Sequence, residues 1–364
     1  MERVLPERLY LDHAATTPAT PAAREAMARG LAIWANPSSP HAEGRVARAA
    51  LEEARRAIGA AYGWPHEVLL TSGASESLSI ALGRAVAGLR VISAVEHDAV
   101  MRAAGEKAYV LPVGADGRID VTALCEDRGW RGDDEGGRSI VCVQWCNSET
   151  GVIQPIAEIA QVVHEAGALL LVDAAQMPAS DVLSEHADFI ALSSHKRGGP
   201  PGVGALLVRD LATLQPTGGQ ERGYRPGTEN LPGVLGYAAA LAEKEQDHKE
   251  LRTMLDDAIA RSGGVVVAGD APRHPAIGSY RLVGMTANAQ LIRLDLAGIS
   301  VSAGSACASG SLKPSHVLRA MGWSEDSSRE VIRVSFGRAT DISAVQRFIS
   351  AWREMARSAR VLAA

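Results

Sequence analysis

An apolar run, LLLV at residues 169–172, ends in Asp173, and Gln176 follows shortly after it. A second run, FIALS, ends in Ser193, with His195 and Lys196 next in the polar, glycine-rich segment SSHKRGGPPG. Such runs read as strands buried in a parallel sheet, and open α/β sheets carry their ligands at the carboxyl ends of the strands. If both strands join one sheet, an acid, an amide, a hydroxyl, an imidazole and an amine meet at one edge. That set suits a pyridoxal phosphate pocket, with a lysine for a Schiff base, an acid for the pyridinium nitrogen, and hydroxyl and imidazole donors for the phosphate. Taken alone, the same residues also fit a helix cap, a turn and a solvated lysine, so the reading depends on its context.

The surrounding chain supplies elements to hold such a site. LYLDHAATTP (9–18) reads as a short strand breaking into a polar turn, and Thr20 and Pro21 are start signals for a helix. The turn ANPSSPH contains Asn36, which is either a ligand contact or ordinary turn chemistry. EVLLTSG followed by ASESLSIALG reads as strand, tight turn and helix, so Gly73, Ala74 and Ser75 stand where a helix N-terminus attracts an anion; the alternative is a plain cap using Ser75 and Glu76. A further strand ends in Glu96 and His97, an imidazole able to stack on a planar cofactor or to serve structurally. Residues 127–138 read as a surface loop, and residues 236–261 as one long helix. The recurring alternation of strand and helix predicts an α/β fold, a mostly parallel sheet covered by helices.

The C-terminal part adds two candidates. Cys307 lies in SAGSACASGS, among small neighbours, and is either a nucleophile or a free surface thiol. Arg333, in the alternating run IRVSF, offers a planar guanidinium to a carboxylate. Arg225 and Thr228, in GGQERGYRPGTEN, are placed to reach a phosphate in their own subunit or across a dimer interface.

Composition narrows the rest. A chain of 364 residues exceeds one usual hydrophobic core, which predicts two domains. With 46% hydrophobic and 22% charged residues and a net charge of −5, neither disorder nor a nucleic-acid or anionic-membrane surface is expected. No stretch approaches the ~20 apolar residues of a membrane span, and the N-terminus lacks a signal-peptide core, so a cytoplasmic location is expected. Four cysteines are too few for a disulfide scaffold; Cys142 and Cys146 read as core thiols, and no metal-ligand spacing is present.

Taken together, LYLDHAATTP, ANPSSPH, TSGASES, EHDAV, NSETGVIQPI, VDAAQ, SSHKRGGPPG, GGQERGYRPGTEN, SAGSACASGS and IRVSFGRAT resemble the cysteine desulfurases of the class V aminotransferase family, fold type I pyridoxal phosphate enzymes. The resemblance spans nearly the whole chain. It implies a large cofactor-binding domain over 14–255, and a smaller α+β domain formed by 1–13 with 256–364 that carries the cysteine loop. By the same resemblance Lys196 is the Schiff-base lysine, His97 stacks on the ring, Asp173 meets its nitrogen and Gln176 its phenolic oxygen. Ala74, Ser75, Ser193 and His195 hold the phosphate, with Thr228 contributed by the second subunit of a homodimer. Cys307 is the sulfur acceptor, Arg333 binds the substrate carboxylate, and Asn36 lines the substrate side. L-cysteine would become L-alanine, with a persulfide on Cys307 passed to a sulfur-acceptor protein for iron–sulfur or other thio-cofactor assembly. Ser148 stands where the family commonly has the second of two asparagines contacting the cofactor, Ser75 replaces a threonine, and Pro201 replaces a lysine. A selenocysteine lyase or a catalytically idle assembly partner shares the cofactor residues and remains open at this point.

Overall fold

A computed structural model describes residues 8–132, 137–303 and 314–363, with the side chains of 360–363 excepted. Cys307 lies outside the described residues. Along the chain the strands are β1 (Leu9–Tyr10), β2 (Glu67–Thr71), β3 (Leu89–Ser93), β4 (Tyr109–Leu111), β5 (Ser139–Gln144), β6 (Leu169–Asp173), β7 (Phe189–Ser193), β8 (Gly204–Val208), β9 (Val265–Val266), β10 (Ile277–Arg281), β11 (Ile299–Ser300), β12 (Ser302–Ala303) and β13 (Val331–Ser335). Seven of them form one sheet in the order β2-β8-β7-β6-β5-β3-β4. Its pairs are parallel except at β8, which runs antiparallel to both β2 and β7.

Continuous apolar runs become buried strands because both faces of this sheet are covered. Successive side chains point to opposite faces, and the two sets enter different cores. Val141, Leu170 and Ile190 join the core that contains Leu51 and Ile58 of helix Ala42–Ala61 and Ile159 of helix Ile156–Glu165. Ile140, Leu171 and Phe189 join a second core with Leu78 and Leu82 of helix Ala74–Arg84 and Val100 of helix Asp98–Ala104.

A second sheet, in the order β12-β13-β10-β9, is antiparallel, and β1 pairs in parallel with β11. Helices Lys249–Arg261 and Ile342–Ala363 cover the four-stranded sheet, with Leu255, Phe348 and Trp352 packed against Tyr280 and Ile332 in one core.

The structure departs from the sequence expectations at two places and bears on an alternative reading at a third. The predicted helix over 236–261 is two helices, Leu231–Leu241 and Lys249–Arg261. Tertiary partners break it: Glu245 pairs with Arg197 and Arg338, and the buried His248 ring lies against Phe336, while Asp247, just ahead of the second helix, accepts the Lys249 N–H at 3.0 Å. In the expected surface loop, Trp130 is fully buried and donates its indole N–H to the Leu124 carbonyl at 2.9 Å. Finally, at the start of helix Ala74–Arg84 the N-cap, Gly73, carries no side-chain hydrogen bond, while Glu76 of the first turn reaches back to accept the Ser72 N–H.

Candidate active site

The carboxyl ends of the central strands open into a cavity of about 940 Å³. β6 delivers Asp173 and β7 delivers Ser193, with His195 and Lys196 just beyond, and all four line this cavity. The register explains the convergence, since Asp173 stands opposite both Gln144 of β5 and Ala191 of β7. One oxygen of Asp173 accepts the Ala175 N–H at 3.0 Å, which fixes the carboxylate at the strand end.

From the other side, β2 feeds the turn Ser72–Gly73 and the helix that starts at Ala74. Gly73 has φ 149°, a conformation that side chains resist, and the space beside it is open. β8 approaches so closely here that a Cβ on Gly204 would lie 2.5 Å from the Gly73 Cα. With no side-chain cap, the first N–H groups of this helix remain available to an anion, and the helix dipole adds to the attraction. Glu76 is engaged at the turn itself and with a neighbour: it accepts the Ser72 N–H and pairs with Arg225 at 3.1 Å. Burial works to raise its pKa, but these partners outweigh it and hold the carboxyl below the usual range.

His97 caps the helix Asp98–Ala104, its Nδ1 accepting the Ala99 N–H at 3.1 Å, and it lines the cavity. Burial, reinforced by the positive charge of Lys196, lowers its pKa, and because Nδ1 accepts the Ala99 N–H the neutral form of the ring carries its proton on Nε2. His195 is likewise lowered by burial and by Lys196, and its Nδ1 shares a 3.1 Å hydrogen bond with the Thr16 hydroxyl. Arg333, from β13, also lines the cavity, and its Nη1 donates to the Ser148 carbonyl at 2.9 Å.

Of the residues singled out from sequence, the cavity thus gathers Ala74, Ser75, His97, Ser148, Asp173, Ser193, His195, Lys196 and Arg333. Four others lie apart from its lining, among them Arg225, which pairs with Glu76. Gln176 is buried, donates its amide to the Ala14 carbonyl at 3.0 Å, and borders a smaller cavity of about 190 Å³ that Lys196 also borders. Asn36 is exposed and accepts the Ser38 N–H at 2.8 Å, which is turn chemistry. Thr228 is exposed, in the loop before helix Leu231–Leu241. Cys142 and Cys146 are core thiols, and burial pushes Cys146 up to about 12. Among the described residues no group of His, Cys, Asp and Glu has the geometry to hold a metal ion, and no helix is long and apolar enough to cross a membrane.

The structure adds residues that sequence left without a role. Glu96 is fully buried on the cavity wall; one oxygen accepts the Ser93 hydroxyl and the Gln144 N–H, and the other has no partner among the described residues. Burial, aided by the nearby Asp173 charge, raises its pKa to about 8 against the pull of those two donors. Ser315 donates to the Glu149 carboxylate at 2.6 Å, and His316 donates to the Glu96 carbonyl at 2.8 Å, which fastens the start of helix His316–Ala320 to the same wall. The adjacency of Glu96 and His97 was the one available signal; burial is a property of the fold.

Residues 9–348 match the Aminotransferase class-V family. A cysteine desulfurase of Gluconacetobacter diazotrophicus is 38% identical, over 94% of this chain and 91% of that protein. Among solved structures, a NifS-like protein from Rickettsia africae superimposes with a TM-score of 0.86 at 27% identity, covering 96% of this chain and 99% of that one. SspA in complex with cysteine gives a TM-score of 0.78 at 29% identity, covering 91% and 99%.

Proposed function

The chain belongs to the class-V aminotransferase family, with cysteine desulfurases as its relatives, and from that premise we propose that it converts L-cysteine to L-alanine in the large cavity and transfers the sulfur to Cys307. The observation that carries this reading is the convergence of Lys196, Asp173, His97, Arg333 and an uncapped helix N-terminus on one cavity.

The donor set fits pyridoxal 5′-phosphate. The open turn at Gly73, Ala74 and Ser75, with Ser193 and His195, suits a phosphate; Asp173 suits a protonated ring nitrogen, His97 a ring face and Lys196 a carbonyl carbon. Bound there, the cofactor supplies an electron sink for charge developing at the substrate Cα. The chain's own residues do the rest. Asp173 keeps a proton on the ring nitrogen, the Lys196 amine moves the proton at Cα, and Arg333 orients the substrate by its carboxylate. The Cys307 thiolate attacks the substrate sulfur: an S–S bond forms, the Cβ–S bond breaks with its electron pair left on carbon, and protonation of that carbon yields alanine.

The division into 14–255 and 1–13 with 256–364 belongs to the same proposal. It is supported by the strands, since all seven of the large sheet fall in the first part and those of the two smaller sheets in the second. A homodimer, with Thr228 entering the partner's phosphate site, is also part of the reading and is supported by the exposure of Thr228 away from its own cavity. Gln176 and Asn36 keep their expected roles toward the phenolic oxygen and the substrate, Ser148 its place beside the cofactor, and a sulfur-acceptor protein in iron–sulfur cluster assembly is the expected destination. The deciding experiment incubates purified, cofactor-loaded protein with L-cysteine and a reductant. Alanine and sulfide should appear in equal amounts, and the absence of both would sink the proposal.

A further inference from the structure

Arg333 is 5% exposed and is gripped at two points. Its Nη2 donates to Oδ1 of Asp12 at 2.6 Å and its Nη1 to the Ser148 carbonyl at 2.9 Å, while Nε is buried and has no partner among the described residues. Ser148 lines the large cavity, but Asp12 does not. Asp12 sits just after β1 and is bridged to Ser335, two positions beyond Arg333, and the segment is fastened again where the Ala14 N–H donates to the Ser335 hydroxyl at 2.9 Å. A carboxylate belonging to the protein therefore holds the guanidinium from behind the cavity wall.

Resting on the desulfurase reading, we propose that Asp12 is a positioning residue that sets the affinity of Arg333 for the α-carboxylate of the amino acid. Substrate and product carry the same α-carboxylate, so whatever Arg333 contributes to binding cysteine it contributes equally to retaining alanine. A buried arginine with its full charge unopposed would hold both tightly. With Asp12 on Nη2, part of that charge is offset and the plane of the guanidinium is fixed. The remaining donors orient the carboxylate without trapping it.

Asp12→Asn keeps an oxygen facing Nη2 and removes only the charge. Calorimetric titration of the cofactor-loaded protein uses L-alanine, with ethylamine as the probe lacking a carboxylate. In Asp12→Asn the dissociation constant for L-alanine should fall by about fivefold, the scale of one partly buried charge interaction, while that for ethylamine stays unchanged. KM and kcat for L-cysteine should fall together as alanine leaves more slowly. Asp12→Glu, which keeps the charge but displaces the oxygen, should weaken L-alanine binding. Equal shifts for L-alanine and ethylamine, or an unchanged L-alanine constant in both variants beside a normal wild type, would overturn the role of Asp12 alone. A wild type that binds neither L-alanine nor L-cysteine would overturn the desulfurase reading and this inference with it.

Discussion

Glu96 accepts the backbone N–H of Gln144 at 3.0 Å, and Gln144 stands directly beside Asp173 in the register of β5 and β6. A buried acid thus braces the strand end that carries Asp173. Two carboxylates so placed resist ionising together, and burial selects Glu96 to keep its proton.

The pH dependence of stability follows from this pair. The pKa of Glu96 rises from 4.5 to about 8 on folding, so its stabilising contribution is complete below 4.5 and is lost as pH rises through about 8. Thermal melts across that window should show wild type losing stability relative to Glu96→Gln, which cannot ionise. Parallel curves for the two proteins would mean that Glu96 is not held as a neutral acid.

Lys196 is predicted to be indispensable, because among the described residues no other lysine side chain borders the large cavity. Lys196→Ala should lose all turnover together with the visible absorption of the cofactor-loaded protein. A yellow, active alanine variant would remove Lys196 from its proposed role.

Cys307 separates a desulfurase from relatives that share its cofactor residues. Cys307→Ala should still bind L-cysteine through Lys196 and Arg333, with sulfide release reduced to background. Wild type treated with L-cysteine and no reductant should gain the mass of sulfur on the Cys307 peptide. Full sulfide release by the variant, with no added mass in wild type, would exclude the thiol from transfer.

Glu221 tests what holds the loop leading to Thr228. Its side chain is fully buried, pairs with Arg55 and accepts the Leu70 N–H at 2.8 Å in β2, and its φ is 48°. Glu221→Ala strands a buried arginine and should cost about 3 kcal/mol in denaturant unfolding. A loss below about 1 kcal/mol would place the pair among weakly contributing surface bridges.

Much of this arrangement was readable in the sequence because it depends on local chemistry. Thr20 and Asp120 accept N–H groups in the first turns of the helices they precede, and apolar runs end in polar residues where β6 and β7 meet the cavity. What could not be read depends on depth and on distant partners. Glu96 and His97 are adjacent in sequence, yet only the fold makes one a fully buried acid and the other a helix cap on the cavity wall. Asp12 meets Arg333 across 321 positions. GALLV has the composition of a parallel strand, and its reversed direction in β8 comes from a connection through SSHKRGGPPG too short for a crossover.

That reversed strand also governs the order in which the molecule can assemble. β2 has no neighbour in the sheet except β8, and Thr71 pairs with Gly204, about 130 positions later in the chain. Closing so long a loop is entropically unfavourable and cannot happen until β8 has been synthesised. During translation β3 through β7 can pair among themselves first, while β2 waits as an unsatisfied apolar edge. The anion-attracting turn beside Gly73 therefore becomes competent only once β8 is in place, although it precedes β3 through β7 in the chain. A cofactor present during synthesis would find no finished phosphate turn until β8 has emerged and paired with β2.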